Sequence, residues 1–244
     1  MNTEQYGPRE IKEEDLEKAK IFSSAIFSIS FVLLLWAVHF LQWALQIDLS
    51  SFGVFPRSVK GLSGIIASPL IHSDFEHIFT NSISLLVLVF GLFYFYRDAS
   101  FTVFAVIYLL SGAIVWIVGR QSYHIGASGI VYGVAAYVFF AGLFRRDKRS
   151  MALSLVVVFL YGGMIWGVFP VAPEISFESH LSGALIGAGL AFIFRKYDPP
   201  EKYDWEDDDT ENDGLDYGDT PEKIDRTDEL FPDDPDDDDR RLIR

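Results

Sequence analysis

Residues 124–149 read HIGASGIVYGVAAYVFFAGLFRRDKR. From His124 to Phe144 the stretch contains no Asp, Glu, Lys or Arg, and its length matches the roughly 20 apolar residues that cross a hydrocarbon core. The next five residues, Arg145-Arg146-Asp147-Lys148-Arg149, hold four bases. An uncharged run closed by a basic connection predicts a membrane-spanning helix whose C-terminal end faces the cytoplasm. Near the start of that run stands Gly126-Ala127-Ser128-Gly129, which sets a hydroxyl at membrane depth. Polar groups there are costly and tend to mark function.

Five further apolar segments flank this one, at Ile21 to Ile47, His77 to Tyr96, Phe101 to Gly119, Met151 to Phe169 and Ile175 to Phe194. Backbone in lipid must satisfy its own hydrogen bonds, so each reads as a helix. The predicted fold is an all-α membrane protein, a six-transmembrane helical bundle. The first segment is too long for a cleavable signal peptide, follows a charged stretch and lacks a small-residue cleavage site. The expected organisation is a cytoplasmic N-terminal segment over 1–20, the membrane domain over 21–196 and an acidic tail over 197–244.

Charge separates these parts. The 244 residues carry a formal charge of −14 although half of them are hydrophobic. From Asp198 to Arg244 there are 21 acidic and 6 basic residues, which leaves 13 acidic and 14 basic in the rest of the chain. The acidity therefore belongs to the tail. Asp207-Asp208-Asp209 and Asp236-Asp237-Asp238-Asp239, set among Pro, Gly and Thr, cannot bury a core, so this tail is expected to be disordered and solvating. The chain has no cysteine, which excludes disulfides, thiolate catalysis and cysteine-ligated metals.

Basic residues orient the bundle. Arg9, Lys12, Lys18 and Lys20 precede the first segment, Arg97 follows the second, the run 145–149 follows the fourth, and Arg195 and Lys196 follow the sixth. With a cytoplasmic N-terminus all four clusters fall on the cytoplasmic side. Arg57, Lys60 and Arg120 are then outside, both termini are cytoplasmic, and Ser128 starts its helix near the outer face. The expected location is the cell membrane, as a multi-pass protein.

The connection from Ile47 to Ser73 contains Gly53, Pro56, Gly61, Gly64 and Pro69, with Leu62, Ile65, Ile66 and Leu70 among them. Such apolar content predicts a folded segment partly in the interface, or more simply a tether. Ser73-Asp74-Phe75-Glu76 fits a capping box, S-x-x-E, with Ser73 as the cap and His77 in the second turn. Asn81 is four residues beyond His77 and shares its face. The pair could donate hydrogen bonds to a developing oxyanion. By spacing alone, the plainer reading is a cross-link between helices.

On the fourth segment, Tyr132 shares the face of Ser128, and Gly129 with Gly133 forms a small-x-x-x-small pair that admits close packing. The sixth segment answers with His180, Gly183 and Gly187 along one stripe. Close approach of these two faces would bring an imidazole to the Ser128 hydroxyl, the pairing that activates a serine nucleophile. No Asp, Glu, Lys or Arg lies in the interior of any segment, Glu174 and Glu178 standing at the outer start of the sixth, which counts against proton-coupled transport. It also leaves no acidic third member, so a Ser-His dyad is the economical proposal. Metal binding is not expected, because no H-E-x-x-H motif or third ligand accompanies His77 and His180. No cofactor is expected either.

Three blocks, His72-x4-His77-x3-Asn81, Gly126-Ala127-Ser128-Gly129 and His180-x2-Gly183-x3-Gly187, stand in the order and on the helices of a known family. Over roughly Ile21 to Phe194 the chain resembles the rhomboid intramembrane serine proteases. The resemblance implies that Ser128 is the nucleophile and His180 the general base and then acid. It further implies that His77, Asn81 and the Ser128 amide form the oxyanion hole, and that Tyr132 stacks on the histidine. Gly126 falls in the serine block, while Gly129, Gly133, Gly183 and Gly187 serve helix packing. The implied partners are single-pass or other transmembrane protein substrates and the lipid bilayer, with no nucleic acid; the oligomeric state is open. Two departures accompany the match. The first loop lacks the Trp-Arg pair of many rhomboids, with Pro56-Arg57 its nearest feature, and the second helix ends without the family's frequent acidic residue. A catalytically inactive rhomboid-like binder of transmembrane clients and a channel or transporter are the competing functions.

Overall fold

The computed structural model describes residues 13–172 and 175–197. Residues 1–12 of the expected N-terminal segment, and the expected tail beyond Tyr197, lie outside the described residues. The described part is helical: α1 Glu13–Leu45, α2 Gly64–Ala67, α3 Phe75–Phe95, α4 Arg97–Val118, α5 Ser128–Arg145, α6 Lys148–Tyr161 and α7 Phe177–Ile193. A 3-10 stretch, Gly162–Val168, prolongs α6. Five elements are long and apolar enough to cross a membrane: α1, α3, α4, α5, and α6 with its continuation. The sixth expected segment corresponds to α7, which is apolar but has 17 residues.

Helix ends follow local chemistry and correct two expectations. The predicted capping box at Ser73 does not form. Asp74 caps α3 instead, its carboxylate accepting the His77 amide at 2.8 Å, while Ser73 donates to Asp74 at 2.6 Å. A carboxylate at the positive end of a helix is the better acceptor. Those two hydrogen bonds hold the Asp74 carboxyl below the usual carboxylate range, the Ser73 hydroxyl contributing most. The helix thus starts one residue later than expected, and His77 lies in its first turn. The first helix likewise begins before the apolar segment that starts at Ile21. Glu13 to Lys20 is the first part of α1, with Glu13, Glu14 and Asp15 in the first turn, where negative charge suits the helix dipole.

At the centre lies α5, which contacts α3, α4, α6 and α7, most extensively α7. Leu85, Leu92, Ile107, Ile130, Val134 and Tyr137 are fully buried around it. Outward faces are apolar as well: Phe22, Leu33, Trp43, Phe159 and Leu185 are all exposed. Apolar residues on both inner and outer faces are what a bundle solvated by lipid requires.

The two ends of the bundle differ. At one, Tyr94 on α3 donates to Glu17 on α1 at 2.9 Å, and Arg145 at the end of α5 lies 5.1 Å over the Tyr96 ring. The helix termini bearing Lys20, Arg97 and Arg145 therefore share that end. At the other, the loop from Gln46 to Asp74 is folded, as its apolar content predicts, with 3-10 turns at Ser50–Phe52, Val59–Leu62 and Ser68–Leu70 around α2. Arg57 clamps it to the end of α4: its amide donates to Trp116 O at 2.9 Å and its Nη1 to Ile117 O at 3.0 Å. The Trp116 indole donates back to Ser58 O at 2.9 Å. Val54 and His124 then exchange two backbone bonds of 2.9 Å, which ties this loop to the segment leading into α5.

Candidate active site

The chain enters α5 through Gly126, whose φ of +103° is a conformation that residues with a Cβ rarely adopt. A Cβ there would also come within 2.7 Å of the His77 ring, so glycine is needed for both shape and space. The folded loop holds this turn from behind. Ser68 O accepts the Gly126 amide at 2.9 Å and His72 Nε2 accepts the Ala127 amide at 3.4 Å. Accepting requires an unprotonated nitrogen, and complete burial of His72 pushes its pKa down to about 3. Neither bond uses the amide of Ser128, the first residue of α5.

Close backbone contact brings α7 to α5. A Cβ on Gly183 would overlap the Gly129 carbonyl, and one on Gly187 would overlap the Gly133 carbonyl. A Cβ on Gly129 would lie 3.2 Å from Ser179 O. With only hydrogens at these positions, the two helices approach until His180 Nε2 is 2.9 Å from Ser128 Oγ.

The other imidazole nitrogen defines the direction of that bond. His180 Nδ1 is 2.9 Å from Gly167 O, in the 3-10 stretch after α6. A carbonyl can only accept, so Nδ1 carries the hydrogen and Nε2 presents a lone pair. Ser128 is therefore the donor, and its proton already points at a base. Tyr132 lies flat against the imidazole, with centroids 4.1 Å apart and an interplanar angle of 8°. Its hydroxyl donates to Met164 O at 2.8 Å. The ring is thus held between the aromatic face and one segment of backbone.

His77 and Asn81 sit one turn apart on α3, facing the same space. His77 Nδ1 pairs with Ser73 Oγ at 3.2 Å, and the far edge of its ring lies against Gly126. Asn81 is buried, and its Nδ2 has no hydrogen-bond partner. A buried amide donor without a partner is costly. All five residues (Ser128, His180, His77, Asn81 and Tyr132) line one cavity of about 670 Å³, a volume suited to a bound peptide side chain or small ligand.

A polar rim closes the cavity on the loop side. Arg120 Nε is 3.6 Å from Glu178 Oε1, and Arg120 Nη2 donates to Ile175 O at 2.7 Å. His124 also lines this rim, and burial lowers its pKa from the ordinary histidine value.

Sequence reasoning missed the carbonyls of Gly167 and Met164, as well as His124 and Ser176. Backbone acceptors have no side-chain signature. The two side chains did have one, since they precede Ser128 and His180 by four residues each. Among the described residues no group of three His, Cys, Asp or Glu is placed to hold a metal ion.

Residues 59–197 match the family model of the Rhomboid domain. Uncharacterised proteins of Mycobacterium tuberculosis and Mycobacterium bovis are each 34% identical over 174 residues, covering 68% of this chain and 72% of theirs. An uncharacterised protein of Mycobacterium leprae is 29% identical over a stretch of the same length, 69% of its own chain.

Proposed function

The chain belongs to the rhomboid family, and on that premise we propose that it is an intramembrane serine endopeptidase. It hydrolyses peptide bonds in or near the transmembrane segments of other membrane proteins. The observation that carries this reading is the chain of contacts Ser128 Oγ to His180 Nε2 and His180 Nδ1 to Gly167 O, each 2.9 Å, on the wall of a cavity.

The chemistry follows from those atoms. As Ser128 Oγ attacks the scissile carbonyl carbon, its proton passes to His180 Nε2. The carbonyl oxygen becomes an oxyanion, received by the unpartnered Asn81 Nδ2, by His77 and by the Ser128 amide at the positive end of α5. His180 then gives the proton to the departing amine nitrogen, leaving an ester on Ser128. Water enters by the rim, loses a proton to His180 and attacks the ester; collapse of that intermediate releases the acid and restores Ser128. Tyr132 keeps the imidazole in plane throughout.

The membrane placement completes the reading. With α7 as a sixth span and the basic end facing the cytoplasm, Ser128 stands toward the outer face of the cell membrane, a short way from bulk water. Transmembrane segments of substrate proteins would meet the site there.

The decisive experiment is fluorophosphonate labelling of the purified protein, beside cleavage of a model transmembrane substrate in liposomes. Ser128→Ala and His180→Ala should each reduce turnover by roughly 10⁴ or more while the thermal unfolding curve stays intact. Labelling should map to Ser128. Undiminished cleavage by Ser128→Ala would sink the mechanism, and a label on another residue would move it.

A further inference from the structure

His124 and Ser176 stand four residues before Ser128 and His180. They too meet across the two segments, with His124 Nδ1 and Ser176 Oγ 2.6 Å apart. The candidate dyad is thus the second of two polar bonds, four residues apart along each piece of chain, between the same two segments. We propose that His124 and Ser176 are positioning residues that set the distance between Ser128 and His180. The proposal rests on the reading of those two as nucleophile and base.

Three features make this pair a fixed spacer. First, His124 is 3% exposed, and its backbone is pinned on both sides, donating to and accepting from Val54 at 2.9 Å. Second, its ring has one orientation and one tautomer: Nε2 is 3.1 Å from Arg120 O, and since a carbonyl only accepts, Nε2 bears the hydrogen. Nδ1 is therefore an acceptor, and the Ser176 hydroxyl donates to it. Third, Ser176 is the N-cap of α7: its Oγ accepts the Ser179 amide at 3.4 Å and lies 3.0 Å from Ser179 Oγ. One hydroxyl thus joins the start of the helix that carries His180 to the turn that delivers Ser128. Arg120 reinforces the same junction from the other side, its amide donating to Glu178 Oε1 at 3.3 Å.

A catalytic pair on two helices is sensitive to their separation; a displacement of 1 Å can cost about 100-fold in rate. Glycine contacts set how close α5 and α7 come, but smooth surfaces oppose sliding along the helix axes only weakly. A hydrogen bond at the mouth, between two pinned groups, stops that slide.

The test compares two isosteres. In His124→Asn the side-chain amide occupies the place of Nδ1 and keeps the Ser176 bond while losing Arg120 O. In His124→Gln it occupies the place of Nε2 and keeps Arg120 O while losing Ser176. Fluorophosphonate labelling rate at Ser128, KM and kcat for a transmembrane substrate, and thermal stability are measured for both. The expected result is labelling and kcat within about 5-fold of wild type for the Asn variant and about 10- to 100-fold lower for the Gln variant, with KM unchanged in both. Equal rates, or a faster Gln variant, would overturn the proposal while wild type still labels. Absence of labelling in wild type would instead defeat the dyad reading. Should the His124 variants fail to fold, Ser176→Thr and Ser176→Ala repeat the contrast. Thr keeps the hydroxyl and should hold the wild-type rate per folded molecule, Ala should lose it, and equality of the two again overturns the proposal.

Discussion

The packing of α5 on α7 and the exposure of the span formed by α6 and its 3-10 continuation stand in contrast, although α6 also meets α5 closely at Gly142. Backbone touches backbone in the first, through Gly129, Gly133, Gly183 and Gly187, and 56% of the α5 span is buried. Only 11% of the span formed by α6 and its 3-10 continuation is buried, and Phe159, Leu155 and Trp166 face outward. Yet the loosely packed region supplies the Gly167 and Met164 carbonyls that hold His180 and Tyr132. Ser128 and His180 are thus brought together by a backbone-close contact, and the imidazole is oriented by one of the least buried segments. Glycine means different things along the two regions: on α5 and α7 it is space that a methyl group cannot enter, whereas in the 3-10 stretch Gly163 has room around it and only Gly167, against Tyr132, does not.

The same substitution made in both places breaks or sharpens that contrast. Gly187→Ala should have the largest effect, because its Cβ would overlap the Gly133 carbonyl and backbone cannot yield as a side chain can. We expect about 1–3 kcal/mol of destabilisation and roughly 100-fold lower labelling at Ser128, read by thermal unfolding and fluorophosphonate kinetics. An active and stable Gly187→Ala protein would remove the rigid half of the comparison.

Gly167→Ala comes next. Its Cβ would overlap the Tyr132 hydroxyl and lie 3.1 Å from His180 Nδ1, so labelling should fall about 10-fold or more. Removing the hydroxyl relieves the shortest of these contacts, so adding Gly167→Ala to a Tyr132→Phe background should cost less than it does in wild type. That non-additivity would locate the effect in this one contact.

Acid probes the support behind the serine. His72 has a pKa of about 3 in the folded protein against an ordinary 6.5. A depressed value means the full stability contribution is present above 6.5. It is lost as pH falls from there toward 3, by about 1.4 kcal/mol per pH unit. His72→Gln cannot titrate there, so its unfolding temperature should fall less than that of wild type between about pH 7 and pH 4.5. Parallel curves would mean that His72 does not titrate on unfolding.

The smallest effect is expected at Gly163, where a Cβ would meet nothing within 4 Å. Gly163→Ala should change stability by no more than about 0.5 kcal/mol and leave labelling unchanged. A large loss there would show that the 3-10 stretch must bend during turnover, and the loose half would then need a different description.

The periodic and chemical parts of this arrangement were legible in the sequence. Apolar runs defined the helices because lipid forces backbone to bond with itself. Glycine stripes on α5 and α7 announced a close contact because small residues at that spacing have few other uses there. Ser128, His180, His77, Asn81 and Tyr132 stood out as polar or aromatic groups at helical spacing, but their roles came only with the resemblance to the family, since spacing alone reads His77 and Asn81 as a helix cross-link. Less legible was anything decided by competition or by main chain. Ser73 and Asp74 are both good caps, and only the folded geometry shows the carboxylate taking the His77 amide. The 3-10 ending of α6 has the same apolar composition as an α-helical one. Gly167 O looks like every other carbonyl until the chain is folded.

That carbonyl has an electrostatic consequence. Serine hydrolases with a triad orient their histidine with a carboxylate, a full negative charge that is expensive to keep inside apolar surroundings. An amide oxygen does the same orienting at no net charge, so the resting Ser128–His180 pair needs no counter-ion among the apolar side chains of α5 and α7. On the proposed mechanism the imidazolium would have a dipole rather than a directly bonded carboxylate at Nδ1, and losing an acidic partner can cost about 10⁴ in turnover. On that mechanism the arrangement would trade speed for depth, since a carboxylate in these surroundings would carry a charge that is costly to keep.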